Sequence, residues 1–220
     1  MYNHLVKYNL PQYEWNIIDV KTRTRVTAYS FELNSTFGFS FVIFVVLWLR
    51  AHNVRHKISI RVDNGEEFCM GSERKLREWN SFLSMFDVEL KPIPKGAKYL
   101  MGIVENSHRQ DDEYFLGIHA ERCKNAKEFL VKAQRWQDTW NMARPSFGIG
   151  MDGKTPYEKL ISSNFLVHPH IFSFPVILME DLLSQYGLFT KNLSLFLKTG
   201  TYVLTKCQLV RLFENLQRKD

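Results

Sequence analysis

Apolar and polar positions change period several times along the chain, and each change predicts an element. Tyr13 to Val20 is rich in aromatic and β-branched residues, and Arg25 to Phe31 alternates. With the polar turn Lys21-Thr22-Arg23-Thr24 between them, the two runs predict a hairpin. Asn34-Ser35-Thr36 is a helix-capping cluster, and the apolar run behind it predicts a helix to about His52. Lys57 to Val62 alternates charge with Ile and Val, a strand that ends at Asp63. Ser72 can cap a helix over Glu73–Phe86, with Leu76, Trp79, Phe82, Leu83 and Phe86 on one face. A short strand is expected over Val88 to Lys91, then a Pro/Gly/Lys loop over Pro92 to Gly102. Helices follow over about 103–118 and Ala126–Ala143, and a short one starts at Thr155-Pro156-Tyr157-Glu158. Beyond residue 163 the pattern weakens; Phe172 to Met179 and Gly200 to Thr205 read as strands, and His168-Pro169-His170 as a loop. Hairpin, helix, strand, helix, strand, then helices predicts an α/β fold with a mixed sheet. Three segments result: a lead-in over 1–12, a core over 13–162, and a C-terminal appendage over 163–220.

The 220 residues are 45% hydrophobic and 14% aromatic, enough for a real core and against disorder. The apolar run from Phe37 to Leu49 has 13 residues, too few to span a bilayer, so it predicts a buried helix and no membrane partner. Net charge is +6, and it is uneven. Residues 21–61 carry seven Lys/Arg against Glu32, and residues 191–220 carry six against two acids. Basic flanks around a balanced middle suit a polyanionic partner, and equally suit solvated faces. Cys69, Cys123 and Cys207 are odd in number and far apart, which argues for a reducing compartment.

The candidate chemistry lies in two carboxylates. Asp63 closes a strand and is followed by Asn64-Gly65, a sharp turn that lets backbone approach a phosphate or metal. The carboxyl edge of a strand is also where open α/β sheets place ligands. Glu105 follows 42 positions later at the start of a helix, and His108, Arg109 and Asp112 share its face at i+3, i+4 and i+7. No large apolar residue occurs from Glu105 through Glu113, so a solvated helix end is the competing reading. Paired carboxylates in such settings suit metal-dependent phosphoryl transfer.

These residues resemble a known family, the integrase catalytic cores of insertion-sequence transposases, related to retroviral integrases. The hairpin Ile17-Ile18-Asp19-Val20-Lys21-Thr22-Arg23-Thr24-Arg25, the block Val62-Asp63-Asn64-Gly65-Glu66-Glu67-Phe68 and the loop Ile93-Pro94-Lys95-Gly96-Ala97-Lys98 are similar to the family's pieces. So are Val104-Glu105-Asn106-Ser107-His108-Arg109 with Asp112 to Phe115, and the closing motifs Asn141-x-x-Arg144-Pro145 and Gly153 to Glu158. The likeness covers about residues 13–160, in the family's order.

The resemblance implies a ribonuclease-H-like fold, a five-stranded mixed sheet flanked by helices. It implies DNA strand cleavage and strand transfer by three carboxylates and two Mg²⁺ (or Mn²⁺) ions, one activating the attacking oxygen and one stabilising the leaving oxygen. Asp63 and Glu105 correspond to the second and third carboxylates. His108, Arg109, Lys95 and Lys98 would contact DNA, the partner being transposon ends and target, with a homo-multimer or an intact transposase as protein partner and a cytoplasmic, nucleoid-associated location.

The first carboxylate is the departure. The fold expects three antiparallel strands before its first helix, and only one strand fits between Asp19 and Thr36. Asp19 therefore corresponds to the end of the family's second strand, and the core is expected to be N-terminally truncated, lacking its first strand and exposing a sheet edge. The other reading makes Asp19 the first ligand. Three functions follow as alternatives: a transposase or integrase core; a non-catalytic DNA-binding or regulatory transposase remnant; and a ribonuclease-H-like hydrolase of another lineage.

Overall fold

The computed structural model describes residues 2–63, 65–68, 72–94, 96–163 and 166–185. It is a mixed α/β protein. A helix, α1 (Tyr2–Lys7), leads into the hairpin β1 (Tyr13–Ile18) and β2 (Arg25–Ser30), paired antiparallel from Tyr13↔Ser30 to Ile18↔Arg25. The turn is held by Asp19, whose Oδ2 accepts the Thr22 backbone N–H at 2.6 Å and the Thr22 hydroxyl at 2.7 Å. This is an Asx-type turn, the local use to which a short carboxylate is best suited.

The long apolar run forms α2 (Ser35–Ala51), capped by the Asn34 side chain, which accepts from the Phe37 N–H. Phe37 through Val46 are all buried, so the helix shows no polar stripe in its first three turns and lies inside the core. Next come β3 (Ile58–Val62), α3 (Glu73–Ser84) and β4 (Val88–Pro92), with β3 and β4 parallel and α3 as their crossover. Asn80 of α3 bonds both the N–H and the C=O of Leu90, so a side-chain amide occupies main-chain groups of β4. Then follow α4 (Gly102–Asp111), a π-helical turn over Asp112–Leu116, α5 (Ala126–Asp138) and a second π turn over Thr139–Ala143. A full capping box between Thr155 and Glu158 starts α6 (Pro156–Ser162).

The hairpin has two distinct faces. Trp15, Ile17, Val26 and Ala28 pack into the main core with α2, α3, Ile60, Val62, Val88 and Leu90. Glu14 and Asn16 alternate with Trp15 and Ile17, and in the register they lie across from Tyr29 and Thr27. Tyr29 joins a second cluster with Leu5, Leu10, Phe115, Cys123, Phe129 and Ala133. Arg25 and Thr27 are buried polar residues, and side chains of α5 and its π turn bond their main-chain groups. Asn141 accepts from the Arg25 N–H at 2.9 Å and donates to its C=O at 2.7 Å, and Gln137 accepts from the Thr27 N–H at 2.7 Å. Gln137 also donates to the Phe174 C=O at 2.8 Å, and Gln134 accepts from the Val176 N–H at 2.7 Å. Beyond these amides a two-residue strand, β5 (Ile177–Leu178), pairs parallel with Ala28 and Tyr29 of β2 and runs into α7 (Met179–Gln185).

Several expectations need correction. The strands form two sheets, β1-β2-β5 and β3-β4, rather than one sheet that lacks an edge strand. Among the described residues β1 pairs only with β2 and β3 only with β4. The strand expected over Phe172 to Met179 shrinks to Ile177–Leu178; Pro169–Ser173 is a 3₁₀ turn capped by His168, and Pro175 lacks the N–H a ladder needs. His168-Pro169-His170 is therefore the start of that turn and not a loop. The lead-in over 1–12 contains a helix. The described part of the appendage over 163–220 belongs to the core, since Phe174, Met179 and Leu183 pack in the main cluster and Ile171 and Phe172 pack with Leu160. The strand expected over Gly200 to Thr205 lies outside the described residues, as do Cys69 and Cys207. No helix among the described residues is long and apolar enough to cross a membrane.

Candidate active site

The ends of β3 and β4 and the first turns of α4 enclose a cleft of about 370 Å³, lined by Asp63, Gly65, Ile93, Pro94, Gly96, Met101, Val104, Glu105 and His108. Each wall follows from local sequence. Asp63 sits just past the carboxyl end of β3, and its Oδ1 accepts the Gly65 N–H at 3.1 Å, which turns the chain away from the sheet. Ile93 continues from β4 and donates its N–H to the Val62 C=O at 3.0 Å, so the two parallel strands end side by side. Gly96, at φ +84, supplies the left-handed bend that brings the chain round to α4. The approach of Gly65 is guarded by Glu67, whose carboxyl lies where a residue-65 side chain would be.

The structure thus brings Asp63, Glu105 and His108 to one cleft, the first two exposed and the ring of His108 about half exposed. It does not bring Arg109 there. Arg109 is exposed and bonds Asn106 Oδ1 at 2.9 Å and Glu113 at 3.5 Å on its own helix. Asp112 is exposed at the start of the π turn and is not among the lining residues. Asp19, the alternative first carboxylate, is committed to the hairpin turn and also absent from the lining. Lys95 lies outside the described residues, and of Lys98 only the backbone is described, in the 3₁₀ turn Lys98–Met101.

Behind the cleft lies a polar cluster that sequence reasoning missed. Arg25 Nη1 donates to both oxygens of Asp111 at 2.6 and 2.7 Å, with both side chains essentially without solvent contact. Trp136 Nε1 donates to the same carboxylate, and the Arg25 guanidinium lies 4.3 Å from the Trp140 ring centroid. Asn16 bonds Ser107 Oγ at 2.8 Å and Glu14 Oε1 at 3.2 Å, and His108 Nδ1 stands 3.8 Å from Glu14 Oε1. Burial above all, and then the charge of Asp111, push the Glu14 carboxyl up to about 8, against the opposing pull of Arg25. The same burial raises the Tyr29 phenol, whose hydroxyl is 3.4 Å from Glu14 Oε2. Ser107, Asp111 and Phe115 recur every four residues and share a helix face, but the first two are polar, so the sequence carried no mark that this face turns inward.

Two sets of residues offer metal donors. Glu14, His108 and Asp111 each present a ligand atom within 4.8 Å of the others, a group that could hold a metal ion. An ion there would compete with Arg25 for Asp111. The cleft offers Asp63 and Glu105, exposed oxygen donors of the kind a hard divalent cation takes, with Asp63 Oδ1 already accepting the Gly65 N–H. No protein-family model matches the chain, and no curated protein matches it.

Proposed function

We propose that this chain is a DNA-handling core of the transposase–integrase class, built for metal-dependent strand cleavage and strand transfer. The observation that carries the reading is the meeting of Asp63 and Glu105 in one cleft, on elements far apart in sequence. The mixed α/β architecture, with Asp63 at a strand's carboxyl end, is compatible with a ribonuclease-H-like fold.

The donors fit Mg²⁺ or Mn²⁺, which commonly binds through one or two carboxylates and completes its shell with water and substrate phosphate. An ion so held would polarise the phosphate and activate the attacking oxygen. Asp63 and Glu105 would hold the cation, and His108 on the same wall would face the DNA backbone. DNA is then the partner, bound at the cleft mouth through its phosphates. The test is nicking of supercoiled plasmid in Mn²⁺, with Mn²⁺ affinity measured by calorimetry on wild type, Asp63→Asn and Glu105→Gln. Nicking lost in both variants, with metal affinity at least about tenfold weaker, is expected. Unchanged metal titration in both would remove the site.

A specific observation favours a second reading, the regulatory remnant. Among the described residues the cleft presents two carboxylates rather than three, since Asp19 is committed to its turn. In the same experiment, salt-sensitive plasmid binding without nicking selects the remnant over the enzyme.

A further inference from the structure

In the closing motif Asn141-x-x-Arg144-Pro145, Asn141 bonds the main chain of Arg25, but the Arg144 side chain serves neither the hairpin nor the cleft. Its guanidinium lies 4.4 Å from the Tyr114 ring centroid and 5.4 Å from that of Trp136, and the two rings are stacked at 6.2 Å. Among the described residues no carboxylate or carbonyl accepts from it, and it is partly exposed. Two aromatic faces thus hold a guanidinium whose N–H donors stay open, and a pre-ordered planar fork of that kind suits a phosphate.

The chain behind Arg144 is a tight loop. Ser146 donates its N–H to the Lys154 C=O at 3.0 Å and accepts the Gly153 N–H at 3.1 Å, and Gly150 bends the chain at φ +77. Its tip presents Phe147 at 87% exposure and Ile149 at 96%. Arg23, from the hairpin turn, donates to the Ile149 C=O at 3.4 Å and to the Val20 C=O, so turn and loop form one surface. Large apolar side chains left bare on a loop so braced mark a contact surface. Charge selects the partner. Residues 19–23 and 144–159 carry five basic side chains against three acidic ones, and each acid is engaged: Asp19 with Thr22, Asp152 with Lys159 at 3.7 Å, Glu158 in its capping box.

We propose that this surface is a second DNA contact outside the cleft: Arg144 and Arg23 bind backbone phosphates, and Phe147 and Ile149 meet the groove beside them, where apolar side chains act as wedges. This rests on the DNA-handling reading above. Tyr114 follows Glu105 by nine residues. That is about 13 Å along a helix axis, or about four base-pair steps, so one duplex reaches both places.

The test measures binding of a short fluorescent DNA duplex to the full chain by anisotropy, across about 50 to 200 mM salt. Arg144→Gln should bind about tenfold more weakly at the low end, the loss of one charge-assisted bond, and its slope of log affinity against log salt should be shallower by about one. Arg144→Lys should restore the slope but only part of the affinity, because an ammonium lacks the fork. A purely structural role would not move the slope. Phe147→Ser/Ile149→Ser should weaken binding with the slope unchanged, since no phosphate contact is lost. Both native side chains are nearly bare, so this variant carries the test even where loss of the Arg144 stack unfolds the chain. An Arg144→Gln slope equal to wild type, or a loop variant that binds DNA normally, overturns the second contact and leaves the cleft reading intact. A loop variant that binds DNA normally but sediments as a smaller species than wild type overturns it in favour of a second copy of this chain. A wild type that does not bind DNA overturns the DNA reading and this inference with it.

Discussion

Arg25 on β2 and Asp111 at the last turn of α4 form an ion pair at 2.6 Å with almost no solvent contact on either side chain. The pair fixes α4 against the hairpin at one end, and the Asn16–Ser107 bond fixes its middle. Glu105 and His108 lie on that same helix, so the geometry of the cleft depends on these polar contacts. Arg25 Nε has no hydrogen-bond partner, so the cluster is held tightly without being fully satisfied.

Removing one partner of this pair should be far worse than removing both. Arg25→Met leaves Asp111 buried and uncompensated, and should lower stability by about 3–5 kcal/mol. Asp111→Leu alone should do comparable harm by stranding Arg25. The double variant Arg25→Met/Asp111→Leu should recover most of the loss, because two apolar side chains replace two buried charges. Urea unfolding of the three variants checks this, and losses that simply add would show that the pair is not coupled.

Gly38 makes a second long-range contact under the cleft. A Cβ there would stand 2.6 Å from the Glu67 carbonyl oxygen and 3.2 Å from Trp15 Cζ3. Alanine should gain about 1 kcal/mol of helix propensity in α2. The clash is with backbone, however, and overpacking of this kind costs about 1–3 kcal/mol. Gly38→Ala should therefore be destabilised on balance, and the push on residues 65–68 should weaken Mn²⁺ binding at Asp63. A raised denaturation midpoint would show that the loop yields freely.

The legible parts of the sequence were those with a clear period and a cap. The hairpin, α2 behind Asn34, α3 behind Ser72 and the strands β3 and β4 on either side of it came from local pattern, though the parallel pairing of those strands did not. What escaped was carried by side chains that replace backbone partners. Asn141 was visible only as a motif letter, yet its amide bonds both main-chain groups of Arg25. Glu14 and Arg25 looked like ordinary polar strand positions, because a strand pattern does not show that a helix will cover its polar face. Arg109 was placed by helical period on the cleft side, but its own-helix partners Asn106 and Glu113 hold it outside. β5 is two residues long, too short for any period to register.

On the acid side, His52 should set a stability limit. Its Nδ1 bonds the Trp48 carbonyl at 2.8 Å, and its ring lies 6.1 Å from that of His168, itself edge-on to His170. Burial lowers its affinity for a proton, and the two neighbouring histidines add to that. The folded state thus prefers the neutral ring. Its contribution is complete above the unfolded value of about 6.5 and is lost as pH falls through that value toward the lower folded one. His52→Gln should flatten this limb of a melting-temperature profile, and an unchanged slope would assign the limb to other groups.

Glu14 should act in the opposite sense on the alkaline side. Its folded carboxyl titrates at about 8 against an ordinary 4.5. Between those values the unfolded chain has already released the proton that the folded chain retains. Stability is therefore complete below 4.5, drains as pH rises toward 8, and levels off above it. Glu14→Gln removes the ionisable group while keeping an acceptor for Asn16, so it should abolish this slope and stabilise the protein at pH 8 by about 2 kcal/mol. Unfolding free energies of wild type and variant, measured across that window, should diverge steadily toward high pH. Curves that stay parallel would mean that Glu14 is ionised throughout, and that Arg25 alone balances both carboxylates.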